Sequence, residues 1–411
     1  MPKLKLFQGY GVELEYMIVD RETLKVLPVT DIILKDFHGS FIDEIENGAI
    51  SWSNELALHV IELKTNGPSE NLNGLADLFA GNVKEINTLL AQYNGMLLPT
   101  AMHPFMDPFS EMKLWPHERN EIYKKYNSIF NCKGHGWANL QSVHINLPFA
   151  NDEEFEKLHA AIRLILPILP ALAASSPIMD GVYSGFKDTR LEVYQNNQKR
   201  IPSISGKVIP EPVFSENEYK SRILERNYRD ISPFDPEGIL QDEWLNSRGA
   251  IARFQRNAIE IRVLDIQECP AADLAIIKLI VATIQNLVNE RWSTLQDQKS
   301  WQVEPLYLIL QACIKMAEDA EISDSAFLRT FGYKGEVTGA SEIWKYLLQE
   351  NIQSGYDFSE TDLAALNNIL TQGSLSSRIH KTIGPDINSH KLVNVYKKLS
   401  ECLANNSLFI V

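Results

Sequence analysis

The sequence predicts an α+β protein built on a largely antiparallel sheet. Three observations predict this. Four segments alternate apolar and polar residues with the two-residue period of a strand that is wet on one side and buried on the other. All of them fall in the first two thirds of the 411 residues. From about residue 300 onward only helical periodicity is present. Strands first, with helices between and after them, is the pattern of α+β architecture.

Taken in order, "GVELEYMIVD", Gly11 to Asp20, is the first strand. Two more strand-like runs lie in "SWSNELALHVIELKTNGP", which Pro68 closes. A helix over roughly 72–94 follows, because Leu72, Leu75, Phe79, Val83, Ile86, Leu90 and Tyr93 recur at three and four. "LLPTAMHPF" is a short strand entering a proline-punctuated loop, and "NLQSVHINLPF" is another alternating strand. Residues 155–174 read as a helix. Residues 175–216 have no sustained period, and a loop of that length in a compact protein is functional or disordered. Its aromatic and arginine content favours function. "NAIEIRVLD" is a further strand, followed by a long helix at 272–292. The last helix carries an apolar stripe of Leu392, Val395, Tyr396, Leu399, Cys402 and Leu403. No low-complexity linker or internal repeat interrupts the chain.

Composition narrows the function classes. The chain is 45% hydrophobic and 22% charged, as soluble globular proteins are. Thirty-nine Lys and Arg against 53 Asp and Glu give a net charge of −14, and no basic tract stands out. That argues against a nucleic-acid or anionic-membrane partner. Cys132, Cys269, Cys313 and Cys402 are far apart and form no CxxC, so reduced thiols and a cytoplasmic protein are expected. No signal-peptide core precedes the first strand. "AAIRLILPILPALAAS" and "LAIIKLIVATIQNLV" are broken by Arg163, prolines and Lys278, and read as buried helices.

The chemistry lies on the polar faces of the strands. In "VELEY" Glu13 and Glu15 oppose Val12, Leu14 and Tyr16; in "HVIELK" Glu62 and Lys64 oppose Ile61 and Leu63. In "SVHINL" Ser142, His144 and Asn146 oppose Val143, Ile145 and Leu147. In "AIEIRVL" Glu260 and Arg262 oppose Ile259, Ile261 and Val263. A solvated face explains any one strand, but such faces usually carry Thr, Lys, Ser and Gln. Several carboxylates and one imidazole on a shared face would repel unless cations bind or some acids stay protonated. Oxygen ligands with a single nitrogen suit Mg²⁺ or Mn²⁺ better than structural zinc. Glutamates at i and i+2 stand roughly 7 Å apart at Cα, so both reach one cation or two adjacent ones. His59 shares the face of Ile61 and Leu63 and reads as a core histidine; His103, in "MHPF", reads as a turn residue.

At this point a family resemblance becomes specific. "GVELEY", "ELALHVIELKTNGP", "NLQSVHINLPF", "SSPIMDGVYSGFKDTR" and "NAIEIRVLD", in that order over about residues 9–275, resemble the carboxylate–amine ligase family that contains the bacterial and plant-type glutamate–cysteine ligases. Beyond about residue 295 only the helices and "GSLSSR", Gly373 to Arg378, look familiar. The resemblance implies a glutamine synthetase-like catalytic domain over 1–295, with a curved, largely antiparallel sheet and flanking helices. A helical C-terminal region, 296–411, would pack on it.

The resemblance also implies roles. The family's paired acids fall on Glu13 and Glu15, its two acids seven residues apart on Glu55 and Glu62, and its metal-binding histidine on His144. With Glu260 these would hold two or three Mg²⁺ ions. Arg262 would meet the γ-phosphate of ATP, and Arg253 matches an upstream arginine if this chain is about two residues shorter there. Arg262, Glu260 and Arg253 are the catalytic candidates. Gly185, Phe186 and Arg190 in "SGFKDTR", with Asn146, are candidates for substrate or ATP contact. Leu14, Ser142 and Asn146 depart from the family pattern, the last two near where substrates would bind, which leaves the amine acceptor open.

The implied reaction is ATP-dependent joining of glutamate to an amine such as cysteine, through a γ-glutamyl phosphate. A metal-dependent hydrolase and a non-catalytic metabolite-binding relative are the alternatives. The E-x-R pair favours phosphate handling over simple hydrolysis, and no Walker motif is present. The helical tail leaves oligomeric state open, with a homodimer as one arrangement.

Overall fold

The structure, a computed structural model, describes residues 3–411. Its centre is an eight-stranded sheet in which every pairing is antiparallel. The strands are β1 (Gly11–Asp20), β2 (Glu44–Asn47), β3 (Ile50–Asn54), β4 (Val60–Thr65), β5 (Gly95–Leu98) and β6 (Ser142–Pro148). After a small hairpin of β7 (Ile178–Met179) and β8 (Val182–Tyr183) come β9 (Ala250–Arg253) and β10 (Ala258–Asp265). The order across the sheet is β2-β3-β4-β1-β6-β10-β9, with β5 also paired to β1.

The alternation read from the sequence becomes two distinct faces. Val12, Leu14, Ile61, Leu63, Val143, Ile145, Ile259, Ile261 and Val263 are all buried in one core. Helices Leu75–Leu90, Asp152–Ile165 and Pro270–Val288 supply the other side of that core with Phe79, Val83, Ile86, Leu158, Ile162, Ile277 and Ile280. Pro270–Val288 is long and apolar enough to cross a membrane, but most of it is buried inside the protein. The helices after residue 300 join the same core through Leu306, Leu310, Trp344 and Leu366.

The opposite face is polar only in part. Along β1, Glu13 and Glu15 share a face with Met17 and Val19 by strand parity. Those two lie in a second core with Leu98, Met106 and Leu375. Helices Leu375–Ile383 and Ser389–Ala404 supply Ile379, Leu392, Tyr396 and Leu399 to it. The second core therefore covers one half of the face and leaves the carboxylate half open.

The expected elements are present with shifted ends. The helix expected over 72–94 is Leu75–Leu90 with a 3-10 turn at Ala91–Tyr93. Helix Thr30–His38, edge strand β2 and helix Asn120–Phe130 have no counterpart in the sequence reading. The 175–216 loop is largely turns, but Asp188 accepts from the Leu191 N–H and caps a short helix, Thr189–Tyr194.

Candidate active site

Strand register assembles the site. Glu13 pairs with Lys64 on β4 and His144 on β6, Glu15 pairs with Glu62, and Glu260 pairs with Asn146. Gly11 pairs with Asn146, and a Cβ there would sit 2.9 Å from Asn146 Cβ, so only glycine admits the asparagine. Glu55 lies just past the end of β3 and reaches the same cluster.

The donor atoms of Glu13, Glu62 and His144 all lie within 4.8 Å of one another, as do those of Glu15, Glu55 and Glu62. Two adjacent triads thus share Glu62. Five of the six ligands expected from the sequence fall in these triads. Glu260 stands beside them, but its carboxylate is taken by two guanidiniums: Arg253 Nη1 at 3.2 Å and Arg262 through Nε, at 3.1 Å, and Nη2.

Crowded acids leave a clear electrostatic signature. Burial, then the Glu13 carboxylate, pushes Glu62 up to about 7 against the pull of Lys64. Burial, with Glu62 and Glu15 adding repulsion, drives Glu55 well above the usual carboxylate range. Glu13 goes the other way: burial opposes its ionisation, but the His144 hydrogen bond and charge win. Burial likewise opposes a charge on His144, yet Glu13, Glu15 and Glu260 hold it protonated up to about 9.

Two positive groups therefore sit among the acids. His144 Nδ1 is 2.8 Å from Glu13 Oε2. Lys64 Nζ lies 3.2 Å from Glu62 and 2.9 Å from Glu44. Its role is not visible in the sequence, because Glu44 comes from the unpredicted edge strand.

Two of the three departures from the family pattern, Ser142 and Asn146, join the acid network, while Leu14 lies in the core. The Ser142 N–H and hydroxyl both donate to Glu15 Oε2, at 2.7 and 2.9 Å. Asn146 Nδ2 donates to Glu13 Oε1 at 2.9 Å. Both side chains aim the acids.

Arg262 owes its position to a β-bulge. Ile261 pairs with Ile145 and Leu264 with Val143, so Arg262 and Val263 together oppose His144. Val263 stays in the core while Arg262 lines the cleft. The Arg262 N–H donates to the Gly249 carbonyl, and a Cβ on Gly249 would come within 2.8 Å of Val263. The bulge also reverses parity, bringing Asp265 opposite Ser142 on the polar side. Asp265 accepts from the Ser175 N–H and the Ser176 hydroxyl, both at 2.8 Å, and faces Arg190 Nη1 at 3.4 Å. Arg190 Nη2 in turn donates to the Arg262 carbonyl at 2.8 Å. Strict alternation along the strand puts Asp265 on the apolar side, so its place at the site is not legible from parity; the two consecutive apolar residues Val263 and Leu264 are the sign of the bulge.

Other expected site residues are divided. Arg190, Arg253 and Asn146 line the cleft, which encloses about 1040 Å³. Gly185 and Phe186 do not line it: Phe186 packs on the main core, and Gly185, at φ +89°, is part of a turn held by the Ser184 hydroxyl. Loop chemistry brought them near in sequence to Arg190, but the cap at Asp188 turns only the helix toward the cleft. His59 and His103 are buried and bond the carbonyls of Ala138 and Leu24, each at 2.7 Å, as core and turn histidines do.

The glutamate–cysteine ligase family 2 model matches residues 10–379. The chain belongs to this family. It is 33% identical over 400 residues to an uncharacterized protein of Archaeoglobus fulgidus, covering 97% of this chain and all of that one. A Nocardioides protein named "Putative glutamate--cysteine ligase 2-1" is 23% identical over 303 residues, 72% of each chain. Among solved structures, a Francisella tularensis glutamate–cysteine ligase in complex with AMP superposes with a TM-score of 0.64. That match covers 97% of this chain and 89% of the other, at 13% identity, a likeness of fold. Family and fold together support an ATP-dependent carboxylate–amine ligase of glutamate–cysteine ligase type.

Proposed function

We propose that the protein activates the γ-carboxyl of glutamate with ATP and joins it to an amine, cysteine being the reference amine that the family's name sets. The observation that carries this reading is the pairing of two ligand triads, one of three carboxylates and one of two carboxylates with His144, with Arg262 on one open sheet face.

A carboxylate near neutral pH has no leaving group. Transfer of the γ-phosphoryl of ATP to its oxygen releases ADP and supplies one. The amine nitrogen then attacks the acyl carbon, the N–C bond forms, the C–O bond breaks, and phosphate departs with the electron pair. The proton from nitrogen goes to phosphate or water. In such phosphoryl chemistry the protein positions groups and balances charge.

The donor set fits hard divalent cations. Glu13, Glu15, Glu55, Glu62 and His144 offer oxygens and one nitrogen, the mixture that suits Mg²⁺ or Mn²⁺. When bound, such ions neutralise phosphate charge. The protein's own groups do the rest. Ser142 and Asn146 fix the orientation of Glu15 and Glu13. Glu260 holds Arg262 and Arg253 side by side at the cleft, ready to take charge on a transferring phosphoryl group. Arg190 braces the Arg262 backbone from below.

The test supplies ATP, Mg²⁺ and glutamate with hydroxylamine, which traps an acyl phosphate as a coloured hydroxamate. Hydroxamate and ADP formed together are expected. ADP with no glutamate-dependent hydroxamate would remove glutamate as substrate, and no ADP with any carboxylate tried would favour hydrolysis or simple binding.

A further inference from the structure

Lys64 is a charge on the polar face that metal binding does not require. It stands two residues after Glu62 on β4, opposite Glu13 on β1 and Ser51 on β3. An ammonium is a compact point charge with three donors. Here it meets three oxygens from three adjacent strands: Glu44 on β2 at 2.9 Å, the Ser53 hydroxyl on β3 at 3.1 Å and Glu62 Oε2 at 3.2 Å. The Ser53 hydroxyl in turn donates to the same Glu62 Oε2 at 2.6 Å. At the centre of this oxygen cage the ammonium does what a small cation would do. Glu62 links the cage to the metal triads, since both triads include it. Lys64 and Ser53 commit its Oε2 and leave Oε1 for the ions.

Charge counting points the same way. Glu260 is already met by Arg253 and Arg262. Glu13, Glu15, Glu44, Glu55 and Glu62 remain, five carboxylates around the triads and the cage. One divalent ion in each of the two triads brings four positive charges, with His144 as a neutral ligand. Lys64 brings the fifth. Without the ions, Lys64 alone faces both Glu44 and Glu62 and cannot neutralise the two of them. The cage therefore completes the metal site and does not replace it.

We propose that Lys64 is a built-in third cation: the chain holds two divalent ions on the polar face, and the ammonium fills the outer place that a third would take. This rests on the metal site of the reading above and adds its stoichiometry. A tethered ammonium is neither chelated nor exchanged. With its three donors engaged, Lys64 positions Glu62 and takes no direct part in the chemistry. Removing the side chain opens the place. Glu44, Glu62 and Ser53 stay there, and the Ser51 hydroxyl adds a fourth oxygen: Ser51 is 1% exposed, lines the cleft and has no partner. Such an oxygen set, completed by water, suits Mg²⁺ or Mn²⁺.

The experiment titrates Mn²⁺ into the metal-free protein and reads free Mn²⁺ from its paramagnetic resonance signal. Two bound ions per chain are expected for the wild type and for Lys64→Arg. Lys64→Ala should bind three, the third about tenfold or more weakly than the others, because fewer charged ligands hold it. Lys64→Ala combined with Glu44→Gln should return to two. Added Mn²⁺ should also raise the urea midpoint of Lys64→Ala further than that of the wild type. Should Lys64→Ala not fold, Lys64→Thr, a better strand residue, takes its place with the same counts expected. Three ions in the wild type, or two in Lys64→Ala, would overturn the proposal; the latter would make Lys64 an ion pair only. No bound Mn²⁺ in any variant would remove the metal site and this proposal with it. A failed hydroxamate test beside the expected counts would remove the ligase reading and leave Lys64 in its role.

Discussion

Replacing Glu62 with glutamine should make the metal-free protein more stable while weakening its hold on metal. The structure gives the size of the effect. Glu62 is 7% exposed, and burial with the neighbouring Glu13 charge moves it from 4.5 to about 7. At ~1.4 kcal/mol per tenfold, carrying that charge at pH 8 costs the fold about 3 kcal/mol. The sign follows from proton counting. Below pH 4.5 the group is protonated folded or unfolded; between 4.5 and 7 only the folded state keeps the proton. The stability this gives is complete below 4.5 and lost as pH rises through 7. Glutamine keeps the shape without the charge, and Ser53, which donates to Glu62 at 2.6 Å, still finds a carbonyl oxygen. Urea denaturation without divalent ions should therefore show Glu62→Gln stabilised by about 2–3 kcal/mol at pH 8 and nearly unchanged at pH 5. Calorimetric titration with Mn²⁺ should show weaker binding, and added Mn²⁺ should stabilise the variant less than the wild type. Glu62→Gln less stable than wild type at pH 8, or equally stabilised at pH 5, would refute the reasoning, because Lys64 would then already balance the charge.

Metal-free wild type should also lose stability steadily from pH 5 to pH 9 by urea denaturation, since the His144 contribution is full below 6.5 and lost through about 9. Ser142→Ala removes a hydroxyl that holds Glu15 and should weaken Mn²⁺ binding about 10- to 100-fold by titration, with urea stability changed by about 1 kcal/mol. Arg378→Met should cost about 3–5 kcal/mol in the same denaturation, because Glu268, fully buried, loses its partner and the Phe409 carbonyl loses a donor. Adding Glu268→Gln should recover part of that loss. All four cysteines are buried and unpaired, so a thiol reagent should label none in the folded protein and four in denaturant, with reductant leaving the unfolding curve unchanged.

The Glu13, Glu15, Glu62 and His144 cluster was legible because a strand's side chains alternate with a period fixed by the backbone. Sequence spacing then sorts them to one face whatever the neighbours are. Glu55 was reached only through the family resemblance, since it lies past the end of β3, where parity no longer applies. The short loop helix shows the reverse limit. "SGFKDTR" named Gly185, Phe186 and Arg190 as a group, but only Arg190 reaches the cleft, because Asp188 starts a helix that turns it inward and leaves the turn behind.

The amino-acid sequence by itself determined the α+β class, the acid-bearing face and the membership of the helices in a core, since each follows from local periodicity. Tertiary structure alone decided which strands lie side by side, and with that the pairing of Lys64 with Glu44 and the parity reversal at Arg262 and Val263 that presents Asp265 to Arg190. It also decided the contact of Tyr126 with Trp244 at the cleft, 5.8 Å between ring centroids and about 120 positions apart along the chain. No period in the chain links such residues; only the packing of separate elements brings them into contact.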